Sequence, residues 1–304
     1  MKVDNLKIHT YKSKFAFLGS CFSQNIHTAL VQSDFQSQSN PFGTLFSPKA
    51  IEQFILNENN ILFSESAFIQ RENIVLNYHA NAKVYGLNKQ AYIIALEELR
   101  NAFLNYLKTA NTLFLTFGTA WVYEEKSSSN IVANCHKVSQ INFTKKMLDV
   151  SDIVAGQLKV IAELKRINPS LNIIYTVSPV RHKKDGLVEN NRSKAKLFQS
   201  IEELERKAGV SYFMAYELIV DELRDYRFFE PDGVHPNALA IKAVSNLFFD
   251  QYLTSDTLKI RLELLKYKQQ LAHTPIHPEL LSAIETREKV RQAYLLFKKE
   301  NGVK

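Results

Sequence analysis

The chain has 304 residues, 45% of them hydrophobic, which is enough for a large buried core and too much for a disordered polymer. Its two cysteines, Cys21 and Cys135, exclude a disulfide scaffold and a metal site built from several thiolates. The net charge of +7 permits an anionic partner, but residues 254–304 carry 10 Lys/Arg against 6 Asp/Glu, dispersed among apolar residues; a solvated helical face is expected there, and no nucleic-acid patch.

Residues 1–19 are interrupted by charge, so no leader-type apolar stretch is visible. No run approaches the roughly 18 apolar residues of a membrane span. The expectation is a cytoplasmic chain without membrane contact. Lys14–Gly19 predicts a short strand ending in a turn residue, and residues 23–31 a helix. A short second strand is expected near Asp34–Ser37, followed by the loop Asn40-Pro41-Phe42-Gly43. Ser47 then caps a helix with Pro48 at its first position. Residues 58–90 hold scattered apolar pieces that suggest a small hairpin or an irregular insertion. A helix is predicted over 90–108.

Thr112–Gly118 is a nearly continuous apolar run, as suits a central parallel strand covered on both faces. Helical spacing follows over 149–167, a second buried-type strand over Asn172–Val177, a helix over 192–208 stopped by Gly209, and a short strand over 211–214. A helix with Pro236 at its start runs to Tyr252. This alternation predicts an α/β fold, a three-layer α/β/α sandwich around a parallel sheet, over residues 1–253. Residues 254–304 read as C-terminal helices packed on the same domain.

Chemistry is expected beyond the carboxyl ends of the strands. Ser20 lies where the first strand turns into a helix; it is either a helix cap or a nucleophile beside free backbone amides. Cys21 is its rival. Asp232 and His235, three apart across Gly233, allow the carboxylate to hold one imidazole nitrogen while the other faces a nucleophile. Taken alone that pair reads as a surface turn; with a serine on the same sheet edge it reads as acid–base machinery. Arg181 suits a carboxylate or phosphate, or an ion pair with Asp185. His79, His136, His182 and His235 lack metal-ligand spacing, and no phosphate-binding glycine motif is present. No cofactor or metal is expected.

Gly19-Ser20-Cys21-Phe22-Ser23 resembles the signature pentapeptide of the GSCFA family, with Ser where the family has its final Ala. Asn40–Thr44, Phe117–Tyr123, Asn134–Lys137, Thr176–His182, Tyr226–Phe228 and Asp232–Pro236 are similar to the same family, in order, over about 15–250. The resemblance implies kinship with SGNH/GDSL-like hydrolases, a flavodoxin-like fold, Ser20 as nucleophile and Asp232/His235 as its partners. It also implies an oxyanion amide from Gly43. The asparagine that usually follows the third-block glycine is missing after Gly118, so Thr119, Asn134 or His136 is the expected replacement donor. The activity implied is a serine esterase or deacylase acting on a small-molecule or carbohydrate ester. Two rivals stay open: a non-catalytic carbohydrate or ligand binder with Trp121, Tyr123 and Arg181 along its cleft, and a metal-dependent hydrolase built on the histidines.

Overall fold

The computed structural model describes residues 7–303. Five parallel strands form the central sheet: β1 (Lys14–Gly19), β2 (Gln36–Ser39), β5 (Thr112–Phe117), β9 (Asn172–Val177) and β10 (Ser211–Tyr212), in the spatial order β10-β9-β5-β1-β2. Numbered within the sheet, this is the 2-1-3-4-5 order of flavodoxin-like folds, whose strand direction of travel reverses between the first and third strands. The crevice at that switch point lies between the carboxyl ends of β1 and β5. Leu18 pairs with Leu115 and Gly19 with Thr116 there.

Alternation along the strands explains the three layers. Ala16, Leu18, Leu113, Leu115, Phe117, Ile173 and Tyr175 point to one face. They pack against α2 (Pro48–Leu56), α3 (Lys89–Leu107), α4 (Val150–Ile167) and α5 (Leu187–Ala208). Phe15, Phe17, Phe114 and Ile174 point to the other, against α1 (Cys21–Gln32) and α7 (Ala238–Tyr252). A strand buried on both sides has no polar face to show, which is why β5 reads as an unbroken apolar run. Each fully buried phenylalanine contributes on the order of 1.5–3 kcal/mol.

Two small antiparallel sheets decorate the frame. One is the hairpin β3 (Phe68–Arg71) and β4 (Ile74–Asn77), within the stretch read as a hairpin or an insertion. The other joins β6 (Trp121–Glu125), β7 (Ile131–Val132) and β8 (Phe143–Met147), and was not visible from sequence because its strands are short and rich in Lys, Thr and Glu. Strand β2 begins two residues later than expected, and α5 begins at Leu187, five earlier. A short turn of helix, α6 (Ala215–Glu217), follows β10. Helix α7 starts at Ala238, not at Pro236: Asn237 is the cap, its Oδ1 accepting the Leu239 and Ala240 amides at 3.0 and 3.3 Å.

Helices α8 (Ser255–Ala272) and α9 (Leu281–Glu300) close the chain. They reach back to the end of α1 through Asp34, whose carboxylate receives Lys268 at 2.6 Å, Lys298 at 3.2 Å and the Tyr294 hydroxyl at 3.2 Å. Arg261 lies over the Phe249 ring of α7, 3.7 Å from its centroid. No helix among the described residues is long and apolar enough to cross a membrane.

Candidate active site

The end of β1 is built without slack. Gly19 sits at φ +134°, and a Cβ there would stand 2.1 Å from the Thr116 carbonyl oxygen of β5, so only glycine fits. The next residue, Ser20, is extended and caps α1: its Oγ accepts the Phe22 amide at 3.3 Å and its carbonyl the Ser23 amide at 3.0 Å. The Ser20 amide donates to Thr116 O at 3.2 Å. Ser20 is 1% exposed and Cys21 is half-buried, yet both line a cleft of about 520 Å³ at the switch point. Burial pushes the Cys21 thiol up, opposed by the amides of Cys21 and Phe22 and by the nearby Lys194 ammonium.

The floor of the cleft is the ends of β5 and β9, held by the first turns of α5. Asn190, Ser193, Lys194 and Leu197 form the buried stripe of that helix. Lys194 is 2% exposed, and its Nζ donates to Gly118 O and Ser178 O, both at 2.6 Å, tying the two strand-end loops together. Burial brings its pKa down to about 7. Ser193 Oγ accepts the Ala120 amide at 2.7 Å, and Asn190 Oδ1 accepts the His182 amide at 2.9 Å. None of these three was singled out from sequence. The signal was present: polar residues at i, i+3 and i+4 where a helix covering a sheet should be apolar.

His235 lines the same cleft. Its Nδ1 is 2.6 Å from Asp232 Oδ2, and Asp232 Oδ1 accepts the amides of Val234 and His235 at 2.8 and 3.0 Å. Those amides and the imidazole hold the Asp232 carboxyl well below its ordinary range. The loop is braced from outside: Lys183 Nζ donates to Asp232 O at 2.6 Å, the Glu230 amide to His235 O at 2.8 Å, and Asn237 Nδ2 to Arg227 O at 2.7 Å. With Nδ1 held by the carboxylate, Nε2 is the nitrogen left for chemistry.

Trp121, Tyr123, Thr119, Arg181 and His182 complete the walls. Lys145, paired with Asp185 at 2.5 Å, lies over the Trp121 ring, 4.5 Å from its centroid, so that face of the indole is already covered. His182 packs edge-on to Phe46, and burial, reinforced by Lys194, pushes its pKa down to about 4, so it is neutral at ordinary pH.

Three expected oxyanion donors sit elsewhere. The Gly43 amide is taken by Asn40 O at 2.8 Å in a tight turn, and Gly43 is not among the cleft-lining residues. Asn134 and His136 are not among the cleft-lining residues and turn to the end of β4: Asn134 Oδ1 accepts the His136 amide at 2.8 Å, and His136 Nε2 donates to Asn77 O at 2.7 Å. Thr119 does line the cleft, but its amide donates to Phe46 O and its Oγ1 accepts the Trp121 amide while sharing a hydrogen bond with Ser193 Oγ. Its groups hold the strand-end loop in shape. Among the described residues no three His, Cys, Asp or Glu converge as metal ligands.

A parallel sheet with a serine and a thiol at one strand end, and the His235 of an Asp–His pair in the same cleft, is the frame of an α/β protein with a switch-point cleft. The chain belongs to the GSCFA family, whose model matches residues 14–248. No curated protein sequence matches it. It is similar in structure to an acetyl xylan esterase, Est2A, from the rumen bacterium Butyrivibrio proteoclasticus (12% identity, 80% of this chain and 64% of that one, TM-score 0.40). It is similar also to a family two carbohydrate esterase from Clostridium thermocellum (10% identity, 84% and 66%, TM-score 0.38). The chain thus spans less than two thirds of the length of either protein.

Proposed function

We propose that the protein is an ester hydrolase of the SGNH type, acting through a covalent acyl intermediate on a small-molecule or carbohydrate ester. The observation that carries this is the sharing of one cleft by the α1 N-terminus, with Ser20, and by His235, whose Nδ1 is engaged by Asp232. Ser20 Oγ attacks the acyl carbon while His235 Nε2 takes its proton. The tetrahedral oxyanion develops at the positive end of α1, beside the first-turn amide of Cys21. Collapse breaks the ester bond, and His235 returns the proton to the departing alcohol. Water, deprotonated by His235, then releases the acid.

A second reading is favoured by one specific observation. Ser20 is 1% exposed and its Oγ is used as the cap of α1, whereas Cys21 presents more surface to the same cleft. In that reading the Cys21 thiolate attacks and the thioester is hydrolysed.

Turnover of 4-nitrophenyl acetate, with intact-mass detection of the acyl-enzyme, separates the two. Ser20→Ala is expected to lower kcat/KM by at least about 10³-fold and to abolish fluorophosphonate labelling, with Cys21→Ala active. The reverse pattern, with labelling by iodoacetamide alone, assigns the thiol. Full activity in both variants, or none in the wild type, ends the proposal.

A further inference from the structure

Arg181 occupies an unusual position in this cleft. It is half-buried at the end of β9, its guanidinium lying over the Phe229 ring, 5.2 Å from the centroid, beside the loop that carries His235. The ring covers one side of the group in a cation–π contact. No hydrogen-bond acceptor and no carboxylate engages that guanidinium among the described residues. The nearby acid Asp185, expected from sequence as a partner, is taken by Lys145.

The rest of the wall has the same sign. Lys183 and Lys184 follow Arg181 along the rim, and Asp185 is the one acid among the cleft-lining residues. Lys183 is directed at the Asp232 carbonyl, whereas Lys184 is exposed and has no acid partner among the described residues. The Arg181 nitrogens are not among the buried polar atoms, so they stay open to the cleft, and the planar fork of a guanidinium matches a carboxylate or phosphate. Phe46, Val122 and Val132 also line the cleft and offer apolar surface for an acyl or aryl group.

We propose that the cleft recognises an ester bearing an oxyanion group, carboxylate or phosphate, which pairs with Arg181 while the apolar wall holds the remainder. This rests on the hydrolase reading for the word ester, but the anion site itself does not need catalysis.

The test therefore has two arms. Turnover is compared for 4-acetoxybenzoate, 4-acetoxyphenylphosphonate and the neutral 4-acetoxybenzamide. A charged ester is expected to be preferred by about 10-fold or more in kcat/KM, the preference shrinking with added salt and falling toward unity in Arg181→Gln. Preference for the benzoate alone names a carboxylate, and for the phosphonate alone a phosphate. In the second arm, benzoate and inorganic phosphate are titrated calorimetrically into wild type, Ser20→Ala and Arg181→Gln. Binding that persists in Ser20→Ala and disappears in Arg181→Gln supports the anion site, even if no ester is turned over and the hydrolase reading fails. Equal kcat/KM for charged and neutral esters, with anion binding absent or unchanged in Arg181→Gln, overturns it.

Discussion

On one side of the cleft Ser20 is 1% exposed and Lys194 2%, and Lys194 and Ser193 tie the strand-end loops to α5. On the other side His235 and Asp232 are 51% and 47% exposed, on a loop held by a carboxylate, two amides and a lysine. The first wall is positioned by the core and tolerates no change of volume. The second is positioned by local hydrogen bonds, so its chemistry can be altered with little effect on the fold. In the proposed reaction a nucleophile needs fixed placement and a proton carrier needs contact with solvent, and the two walls divide those requirements.

The sharpest way to test that division is Asp232→Asn. The amide keeps an oxygen for the Val234 and His235 amides but turns a donor toward Nδ1, which imposes the wrong tautomer. A fall in kcat/KM of about 10²–10⁴-fold is expected, with a melting temperature close to wild type. A large loss of thermal stability would show that this wall is integral to the core after all. Gly19→Ala probes the other wall in the opposite sense. The added methyl meets the Thr116 carbonyl at 2.1 Å in a backbone conformation that L residues avoid, so a loss of about 3–5 kcal/mol is expected by urea unfolding. A loss below about 1 kcal/mol would mean that β1 and β5 can separate.

A smaller effect concerns Lys194. Its side chain titrates near 10.5 when solvated and about 7 when buried here. Between those values the unfolded chain keeps a proton the folded chain has released, so folding stability rises with pH; below about 7 both states are charged and the contribution is flat. Relative to Lys194→Met, the wild type should gain on the order of 1–2 kcal/mol from pH 7 to pH 9. A flat difference would show that the ammonium stays charged across that range.

How much of this was legible in the sequence follows the same division. Strands β1, β5 and β9 were readable because double-sided burial leaves an unmistakable apolar run, and α2 because Ser47 and Pro48 punctuate it. Ser20 and His235 could be placed on one sheet edge because strand order and strand ends follow from the alternation of elements. What escaped was encoded in turn geometry and in tertiary contact. The Gly43 amide is taken by a carbonyl three residues back, and the inward face at the start of α5 carries no apolar signal because it is Asn, Ser and Lys. Their i, i+3, i+4 spacing becomes a signal only once the helix is known to cover the sheet. The β6–β8 sheet escaped for the related reason that short edge strands need not be apolar.

Asp34 gives the far end of the molecule a bearing on the near one. The same helix that delivers Ser20 and Cys21 at its start is anchored just past its finish, by two lysines and a tyrosine drawn from the last fifty residues of the chain. The tail therefore works as a keel for α1, steadying the helix whose opposite tip presents Ser20 and Cys21 to the cleft.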